Sequence, residues 1–349
     1  MITGASYGHG GDIYRNRVRL DFSVNVNPLG TPGKVKEAVI AAAERLDTYP
    51  DPSCEKLRVK TAFRFGADPE DILFGNGAAE LIYQFVSALR PKNALLLVPS
   101  FSEYEKALAS SGCEISFYTL LRENGFAADD NILPLITEKT DLVMLCSPNN
   151  PTGRVMEREL LRRILERCRK TGTWLFLDEC FIELSDTETP SLYTALQPGD
   201  RVFILRAFTK TYAMAGLRLG FALCREKALL SEICRNSQPW NISVPAQEAG
   251  IAALDCGEWV REARKVIRQE KEYLAGSLRK FGMTVYRSDA NFLLFSAGHG
   301  LYEALLQRGI LIRNCENYRG LSAGDFRIAV LRHEENEMLI NAIEEVLHA

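Results

Sequence analysis

Residues 209–218 read Thr-Lys-Thr-Tyr-Ala-Met-Ala-Gly-Leu-Arg. Lys210 stands eight residues before Arg218, and the small residues between them would let a bound molecule approach the main chain. A lysine amine can hold an aldehyde as a Schiff base, and a nearby hydroxyl and guanidinium can bind a phosphate. Thr209, Lys210 and Arg218 supply these three groups, so the stretch predicts a site for a molecule with both an aldehyde and a phosphate. The alternative is that the two basic residues are ordinary surface charges.

A carboxylate follows a second informative segment. The apolar run 173–177 predicts a buried strand, and Asp178 and Glu179 come directly after it. Open α/β sheets bind ligands at the carboxyl ends of their strands. A carboxylate there could keep a pyridine ring protonated, and a protonated ring withdraws electrons from a substrate carbanion. Asp178 is therefore a candidate partner for the ring nitrogen of pyridoxal 5'-phosphate (PLP); the alternative is a helix cap or a loop carboxylate.

A third segment offers a binding site for the phosphate. Residues 71–74 predict a short strand, and Gly-Asn-Gly-Ala-Ala-Glu at 75–80 begins an apolar helix. Free amides at a helix start bind phosphate, so the backbone of Ala78 and Ala79 is a candidate cradle. The alternative, a dinucleotide-binding fingerprint, would require a glycine where Glu80 stands.

A turn follows the apolar run 142–146. Residues 147–153 read Ser-Pro-Asn-Asn-Pro-Thr-Gly, a composition that favours a turn. Asn150 precedes a proline and is therefore biased away from helix. Its side-chain amide could donate a hydrogen bond to the ring oxygen of PLP.

In this order the four segments resemble the fold type I PLP-dependent transferases. Asn-Asn-Pro-Thr-Gly, Asp-Glu, Thr-Lys and Ala-Gly-Leu-Arg together resemble the histidinol-phosphate aminotransferase branch of that superfamily. The resemblance implies that Lys210 carries the cofactor, that Asp178 pairs with the ring nitrogen, and that Asn150 donates to the ring oxygen. Thr209 and Arg218 are then phosphate ligands. Phe101 matches the aromatic residue that stacks on the ring, and its alternative role is core packing.

Segments near both ends of the chain indicate one subfamily within this superfamily. Residues 8–13 (Gly-His-Gly-Gly-Asp-Ile), 20–30, 310–318 and 326–330 are similar to L-threonine O-3-phosphate decarboxylases of cobalamin biosynthesis. By that pattern the positions that hold the phosphorylated amino acid substrate are His9, the Gly10 backbone, Asn25, Asn150, Arg313 and Arg327. A substrate with a phosphate and a carboxylate needs two cationic partners, and arginine offers bidentate donors that stay charged. From spacing alone both arginines would be interpreted as surface charges at strand ends.

The resemblance implies decarboxylation of O-phospho-L-threonine to (R)-1-amino-2-propanol O-phosphate through a Lys210 aldimine. Phe181 stands where histidinol-phosphate aminotransferases usually carry a tyrosine, which favours the decarboxylases without deciding the reaction. Three alternatives stay open: a histidinol-phosphate aminotransferase, a decarboxylase of phosphoserine, and a non-catalytic PLP-binding module. Arg332 and His333 are given no role.

Length and patterning predict an α/β protein with two domains, because 349 residues exceed what one core usually covers. Apolar runs that alternate with helical stretches predict a large PLP-binding domain, residues 31–255, with a mainly parallel sheet wrapped by helices. A long charged helix followed by short strands predicts a small α+β substrate-binding domain, residues 256–349, and the resemblance adds residues 1–30 to it. Thr31 is expected to cap the first helix.

Composition argues against several kinds of partner. The net charge is −3 and the basic residues are scattered, so no nucleic-acid partner is expected. No apolar run approaches the roughly 20 residues of a membrane span, and the first dozen residues do not resemble a signal peptide. Nine cysteines without a C-x-x-C pair favour reduced thiols in a cytoplasmic enzyme, and four histidines without H-E-x-x-H predict no metal site.

The resemblance also implies a homodimer with shared active sites. Tyr49, in Thr-Tyr-Pro-Asp at 48–51, matches the position from which one subunit reaches the cofactor phosphate of its neighbour. The alternative for Tyr49 is a turn aromatic before a proline.

Overall fold

The computed structural model describes residues 9–186 and 191–348. The β-strands are β1 (Leu20–Asp21), β2 (Ile72–Asn76), β3 (Asn93–Val98), β4 (Glu114–Thr119), β5 (Leu142–Cys146), β6 (Trp174–Asp178), β7 (Val202–Ala207), β8 (Leu219–Leu223), β9 (Thr284–Val285), β10 (Phe292–Ser296), β11 (Ile310–Leu311), β12 (Arg313–Asn314) and β13 (Asp325–Ala329). The α-helices are α1 (Gly33–Ala42), α2 (Glu55–Phe65), α3 (Ala78–Leu89), α4 (Ser102–Ser110), α5 (Arg158–Thr171), α6 (Phe208–Thr211), α7 (Lys227–Asn236), α8 (Val244–Ala253), α9 (Gly257–Lys280), α10 (Leu301–Gln307) and α11 (His333–His348). Within those described ranges, no helix has the length and apolar composition needed to cross a membrane.

The largest sheet brings the predicted cofactor residues to one edge. Its strand order is β2-β8-β7-β6-β5-β3-β4. Strands β7, β6, β5, β3 and β4 are parallel, whereas β8 is antiparallel to both β2 and β7. The parallel strands therefore end at the same edge as β2, and β8 begins there, directly after Arg218. The prediction of a mainly parallel sheet wrapped by helices is confirmed.

Side chains on the central strands pack into two cores, one on each face of this sheet. On β6, Leu175 and Leu177 lie in one core and Phe176 lies in the other. Successive side chains on a strand point to opposite faces, so a strand covered on both faces must be apolar throughout. This packing explains why the apolar runs in the sequence predict these strands.

The two ends of the chain form a separate region with its own core. Strand β1 pairs in parallel with β11, so that Leu20 lies opposite Ile310. A four-stranded antiparallel sheet, β12-β13-β10-β9, packs beside them. Phe22 shares a buried core with Ile328 and Leu339. The amino-terminal segment thus lies against the carboxyl-terminal elements, and the division of domains at residue 255 stays a prediction.

The first helix begins differently from the prediction. Helix α1 has Pro32 at its cap position and no side-chain cap. The hydroxyl of Thr31 instead donates to the carbonyl oxygen of Ala213 at 2.8 Å. The prediction that Thr31 caps this helix is wrong, because its hydroxyl ties the amino-terminal segment to the loop after Lys210.

Candidate active site

A cavity of about 480 Å³ lies at the edge where the parallel strands end. This volume is within the range of pockets that bind small molecules. The predicted cofactor and substrate residues that line it are His9, Gly10, Asn25, Ala78, Ala79, Phe101, Asn150, Asp178, Thr209, Lys210, Arg218, Arg313 and Arg327. The structure therefore brings together every predicted site residue except Tyr49.

Asp178 is the last residue of β6 and lies buried at the base of the cavity. Its Oδ2 accepts a hydrogen bond from the Tyr104 hydroxyl at 2.6 Å, and its Oδ1 accepts one from the Cys180 backbone N–H at 2.8 Å. Burial raises the pKa of Asp178, and these two hydrogen bonds oppose that effect. A protonated ring nitrogen beside it would further favour the ionised carboxylate. The sequence reasoning missed Tyr104, although it lies three residues after Phe101 on the first turn of α4.

Lys210 lies on the single helical turn α6, directly after β7. Its Nζ is 5.8 Å from the centre of the Phe181 ring. Burial, reinforced by the nearby positive charge of Arg327, lowers the pKa of Lys210 to about 8. Near pH 8 about half of this amine is therefore neutral and able to attack a carbonyl carbon.

The backbone around Lys210 is held by the amino-terminal segment. The backbone N–H of Asn27 donates to the carbonyl oxygen of Lys210 at 3.0 Å, and the Asn27 amide Nδ2 donates to that of Thr211 at 2.8 Å. Asn27 is buried. Since Asn25 lies two residues before Asn27, the segment that carries a predicted substrate residue also positions the lysine. The sequence pattern contained Asn27 without a signal for this role.

The start of α3 is open for an anion. Gly77 precedes the helix with φ of +78°, and a Cβ at this position would overlap Nη2 of Arg218. A Cβ at Gly220 would lie 2.5 Å from the backbone nitrogen of Ala78. Glycine at both positions lets the Arg218 side chain and the helix start approach each other closely. Amides at the start of α3 and the Arg218 guanidinium are thus placed where they could bind one phosphate together.

These groups match the parts of PLP. The start of α3 with Arg218 suits its phosphate, and the buried carboxylate of Asp178 suits its ring nitrogen. Lys210, with its lowered pKa, suits the aldehyde. Phe101 lies at the cap of α4 and presents an aromatic ring to the same cavity. The residues of this chain therefore fit the predicted cofactor.

Arg327 on β13 is a buried cation in the cavity wall. Its Nη1 donates to Oδ1 of Asn150, and its Nη2 donates to the carbonyl oxygen of Ser23 at 2.6 Å. Asn25, with its amide oxygen turned toward Arg327, accepts from Nε at 3.2 Å. Because the oxygen of Asn150 accepts from Arg327, its amide nitrogen is the atom that can donate to a ligand.

Arg313 lies directly opposite Arg327 on the neighbouring antiparallel strand β12. Its Nη2 donates to Oδ1 of Asn317 at 2.8 Å, and its guanidinium carbon is 5.1 Å from the centre of the Tyr318 ring. Like charges at directly opposed strand positions destabilise a sheet. An anionic ligand between the two guanidinium groups would offset this repulsion.

His9 and Gly10 approach the cavity from the amino-terminal segment. The Nε2 of His9 is 2.8 Å from Oε1 of Glu103, and its ring centre is 5.7 Å from that of Phe101. A Cβ at Gly10 would overlap the carbonyl oxygen of Ser23, so only glycine fits there. The sequence reasoning missed both Glu103 and Ser23; Glu103 stands two residues after Phe101, and no signal marked Ser23.

The described residues that line the cavity do not include Tyr49, Arg332 or His333. The Tyr49 side chain is 75% exposed and its ring centre is 4.7 Å from that of Trp240. Arg332 donates to the carbonyl oxygens of Pro28 and Leu29, and His333 contacts Glu270.

Comparison with known proteins identifies the family. The family described as aminotransferase class I and II matches residues 17–343. The threonine-phosphate decarboxylase of Salmonella typhimurium is 38% identical over 332 residues, which cover 94% of this chain and 91% of that protein. The histidinol-phosphate aminotransferase of Geobacillus sp. is 34% identical over 329 residues, covering 93% of this chain and 88% of that protein. The crystal structure of L-threonine-O-3-phosphate decarboxylase from Porphyromonas gingivalis has a similar fold. Compared with this chain, its TM-score is 0.82 at 27% sequence identity, and the comparison covers 95% of this chain and 100% of that chain.

These similarities extend over nearly the whole length of each protein. They confirm the predicted fold class, the predicted resemblance to threonine-phosphate decarboxylases and the predicted cofactor. The chain is thus a member of the class I and II aminotransferase family of PLP-dependent enzymes.

Proposed function

We propose that this enzyme decarboxylates O-phospho-L-threonine to (R)-1-amino-2-propanol O-phosphate, and that it does so in cobalamin biosynthesis. The observation that carries the proposal is the pair of opposed arginines, Arg313 and Arg327, in one cavity with Lys210 and Asp178. Two cationic partners suit a small substrate that bears both a carboxylate and a phosphate. The similarity to the Salmonella threonine-phosphate decarboxylase supports this choice of substrate.

The contacts of the two arginines suggest which anionic group each one binds. Arg327 contacts Asn150, the proposed partner of the cofactor ring oxygen, so it lies on the cofactor side of the cavity. We assign the substrate carboxylate to Arg327. Arg313 and His9 both line this cavity as well. We assign the substrate phosphate to Arg313 and His9.

We propose a separate role in the reaction for each of these side chains. Bound PLP supplies an electron-withdrawing ring that takes up the electron pair released when the bond to the carboxylate breaks. Asp178 holds a proton on the ring nitrogen. Arg327 holds the carboxylate so that carbon dioxide leaves from a fixed orientation. Nζ of Lys210, which carries its proton in part of the molecules near its pKa of about 8, would donate that proton to the substrate Cα.

A histidinol-phosphate aminotransferase is the second candidate, because the Geobacillus protein is nearly as similar. Phe181 favours decarboxylation between the two. It lines the cavity and packs edge-on against Phe292, with 5.0 Å between ring centres, and it has no hydroxyl to offer the cofactor oxygen. O-phospho-L-serine is a close variant of the first substrate, since one methyl group contributes only about 1 to 3 kcal/mol to discrimination.

The deciding experiment measures carbon dioxide release by the PLP-loaded protein. O-phospho-L-threonine and O-phospho-L-serine are supplied without a keto acid, and histidinol phosphate with 2-oxoglutarate is assayed in parallel. We expect repeated turnover of phosphothreonine and slower release from phosphoserine. Formation of glutamate from histidinol phosphate without carbon dioxide release would replace the decarboxylase with the aminotransferase.

We also propose a homodimer in which Tyr49 reaches the cofactor phosphate of the partner subunit. Tyr49 lies outside the cavity of its own chain and is mostly exposed. Other apolar residues near Tyr49 in the sequence are exposed as well: Ile40 on α1, Leu46 between α1 and α2, and Phe63 on α2, which is 91% exposed. Exposed apolar groups of this kind mark surfaces that associate with another protein.

Mixing two impaired variants tests this shared site. Lys210→Ala and Tyr49→Ala are each expected to lower activity, Tyr49→Ala by about tenfold through weaker binding of the cofactor phosphate. In a mixed dimer one site carries both defects and the other carries none, so re-associated mixtures should regain activity well above either parent. Sedimentation of the active wild-type enzyme as a monomer would contradict the proposal, and so would the absence of any gain in verified mixed dimers.

A further inference from the structure

A carboxylate stands in the wall of a cavity that otherwise suits anions. Among the described residues that line the cavity, two carry carboxylates, Asp178 and Glu103. Asp178 is explained by the ring nitrogen. Glu103 faces the side where Arg313 and His9 would bind the substrate phosphate, and an uncompensated negative charge there would repel that phosphate.

Glu103 is held in place by short contacts with three other side chains. It is the second residue of α4, and its Oε1 lies 2.8 Å from Nε2 of His9 and 2.7 Å from Nζ of Lys106. Its Oε2 accepts from the Tyr83 hydroxyl at 2.7 Å. Although burial raises the pKa of Glu103, the hydrogen bonds from Lys106 and Tyr83 outweigh it and hold that pKa below its usual range. Burial and the bond to Glu103 raise the pKa of Tyr83 to about 12, so Tyr83 stays a donor.

His9 is fixed on two sides by α4. Phe101 packs against its ring, and the Glu103 carboxylate accepts a hydrogen bond from Nε2–H. With Nε2 bound in this way, Nδ1 can donate to a phosphate only when the ring carries its second proton. The charged groups that act on His9 are Glu103, Lys106 and Arg313. Burial lowers the pKa of His9, Lys106 and Arg313 lower it further, and Glu103 raises it.

We infer that Glu103 is a positioning residue for the substrate phosphate, because it orients His9 through Nε2 and stabilises the proton on Nδ1. This inference rests on the proposed function. Lys106 and Tyr83 complete the arrangement, because they neutralise and anchor Glu103 so that it faces His9 and not the phosphate. His9 then binds the phosphate as a cation beside Arg313.

The charge on His9 determines how KM depends on pH. A charged His9 favours phosphate binding, so KM should rise as the pH rises through the pKa of His9. Glu103→Gln keeps the shape of the side chain and removes its charge, which lowers the pKa of His9 and moves this rise to lower pH. At pH 7.5, where the phosphate ester is already a dianion, we expect KM to rise about tenfold in Glu103→Gln. The kcat should stay close to that of the wild type, because Lys210 and Asp178 are untouched.

The experiment compares the PLP-loaded wild type, Glu103→Gln and the matched control Glu105→Gln. Glu105 lies on the same helix and pairs with Arg319 on the surface. For each protein, kcat, KM for phosphothreonine and the inhibition constant of inorganic phosphate are measured between pH 5.5 and 8.5. The range extends to this low pH because burial lowers the pKa of His9 from its usual value. Titration of His9 is followed by histidine NMR without substrate, with His9→Gln used for assignment. Lys106→Met removes a cation that lowers the pKa of His9 and is expected to shift this titration to higher pH.

The expected result is an increase in both KM and the phosphate inhibition constant in Glu103→Gln, with the His9 titration moved to lower pH and Glu105→Gln unchanged. A Glu103→Gln enzyme with wild-type KM and wild-type His9 titration would overturn the inference, as would a loss confined to kcat. If the wild type releases no carbon dioxide, the proposed function fails. The NMR titration, repeated with inorganic phosphate, would still decide whether Glu103 governs His9.

Discussion

Replacement of Lys210 by alanine is expected to lower carbon dioxide release from phosphothreonine by at least about a thousandfold. In the proposed mechanism, Lys210 supplies the amine that attaches the cofactor and the proton that returns to the substrate Cα. Its pKa of about 8 suits both tasks, because the amine is neutral often enough to attack and acidic enough to donate. The measurement is single-substrate turnover with PLP in excess. Borohydride reduction followed by mass spectrometry provides a second readout, which should locate the cofactor on Lys210 in the wild type.

Lys265→Ala is the matched control for this prediction. Lys265 lies on α9 with its side chain 74% exposed and pairs with Glu262 on the same helix, so its loss should leave turnover unchanged. Circular dichroism of Lys210→Ala verifies that the variant is folded. A folded Lys210→Ala enzyme that keeps wild-type turnover would show that another group carries the cofactor.

Changes at Arg327 are expected to have the second large effect. Arg327→Lys should lower kcat/KM by about a hundredfold, because a lysine cannot keep the bonds to Asn150 and Ser23 while holding a carboxylate with two parallel donors. Arg327→Met should lower it by about a thousandfold, because it also leaves these buried partners without a donor. Steady-state kinetics with phosphothreonine provide the measurement.

The two Arg327 variants also separate geometry from charge. The positive charge of Arg327 helps to lower the pKa of Lys210. Arg327→Met should therefore raise the pKa of Lys210 and move the pH dependence of cofactor attachment to higher pH, whereas Arg327→Lys should leave it nearly unchanged. Arg287→Lys, at a side chain that is 72% exposed, is the control. Wild-type kcat/KM in Arg327→Lys would contradict the assignment of the carboxylate to Arg327.

The cofactor half of the site was predictable from local sequence. Asn150 and Asp178 stand at or just beyond the ends of apolar strands, and Lys210 lies three residues beyond another. Parallel strands must end at one edge of their sheet, so a strand pattern with polar residues at its ends already implies that these residues meet. The start of α3 follows the same logic, because its glycines and alanines directly follow β2.

The substrate half was predictable only through the resemblance. Arg313, Arg327 and His9 lie in segments whose patterns predict surface charges and a chain terminus. They meet because β1 pairs with β11 and because β12 pairs with β13, contacts that no local pattern encodes. The hydrogen bond from Arg327 to Ser23 spans 304 residues of sequence.

The contacts of individual side chains and the pKa of Lys210 likewise depend on the tertiary structure. The sequence contains Thr31, Tyr104 and Glu103 without stating what each one contacts. The fold directs Thr31 to the loop after Lys210, Tyr104 to Asp178 and Glu103 to His9. The lowered pKa of Lys210 likewise depends on burial and on Arg327, which is remote in sequence. Apolar periodicity is local and so determines strands, helices and the edge of the sheet, whereas burial and long-range pairing arise only when distant segments pack together.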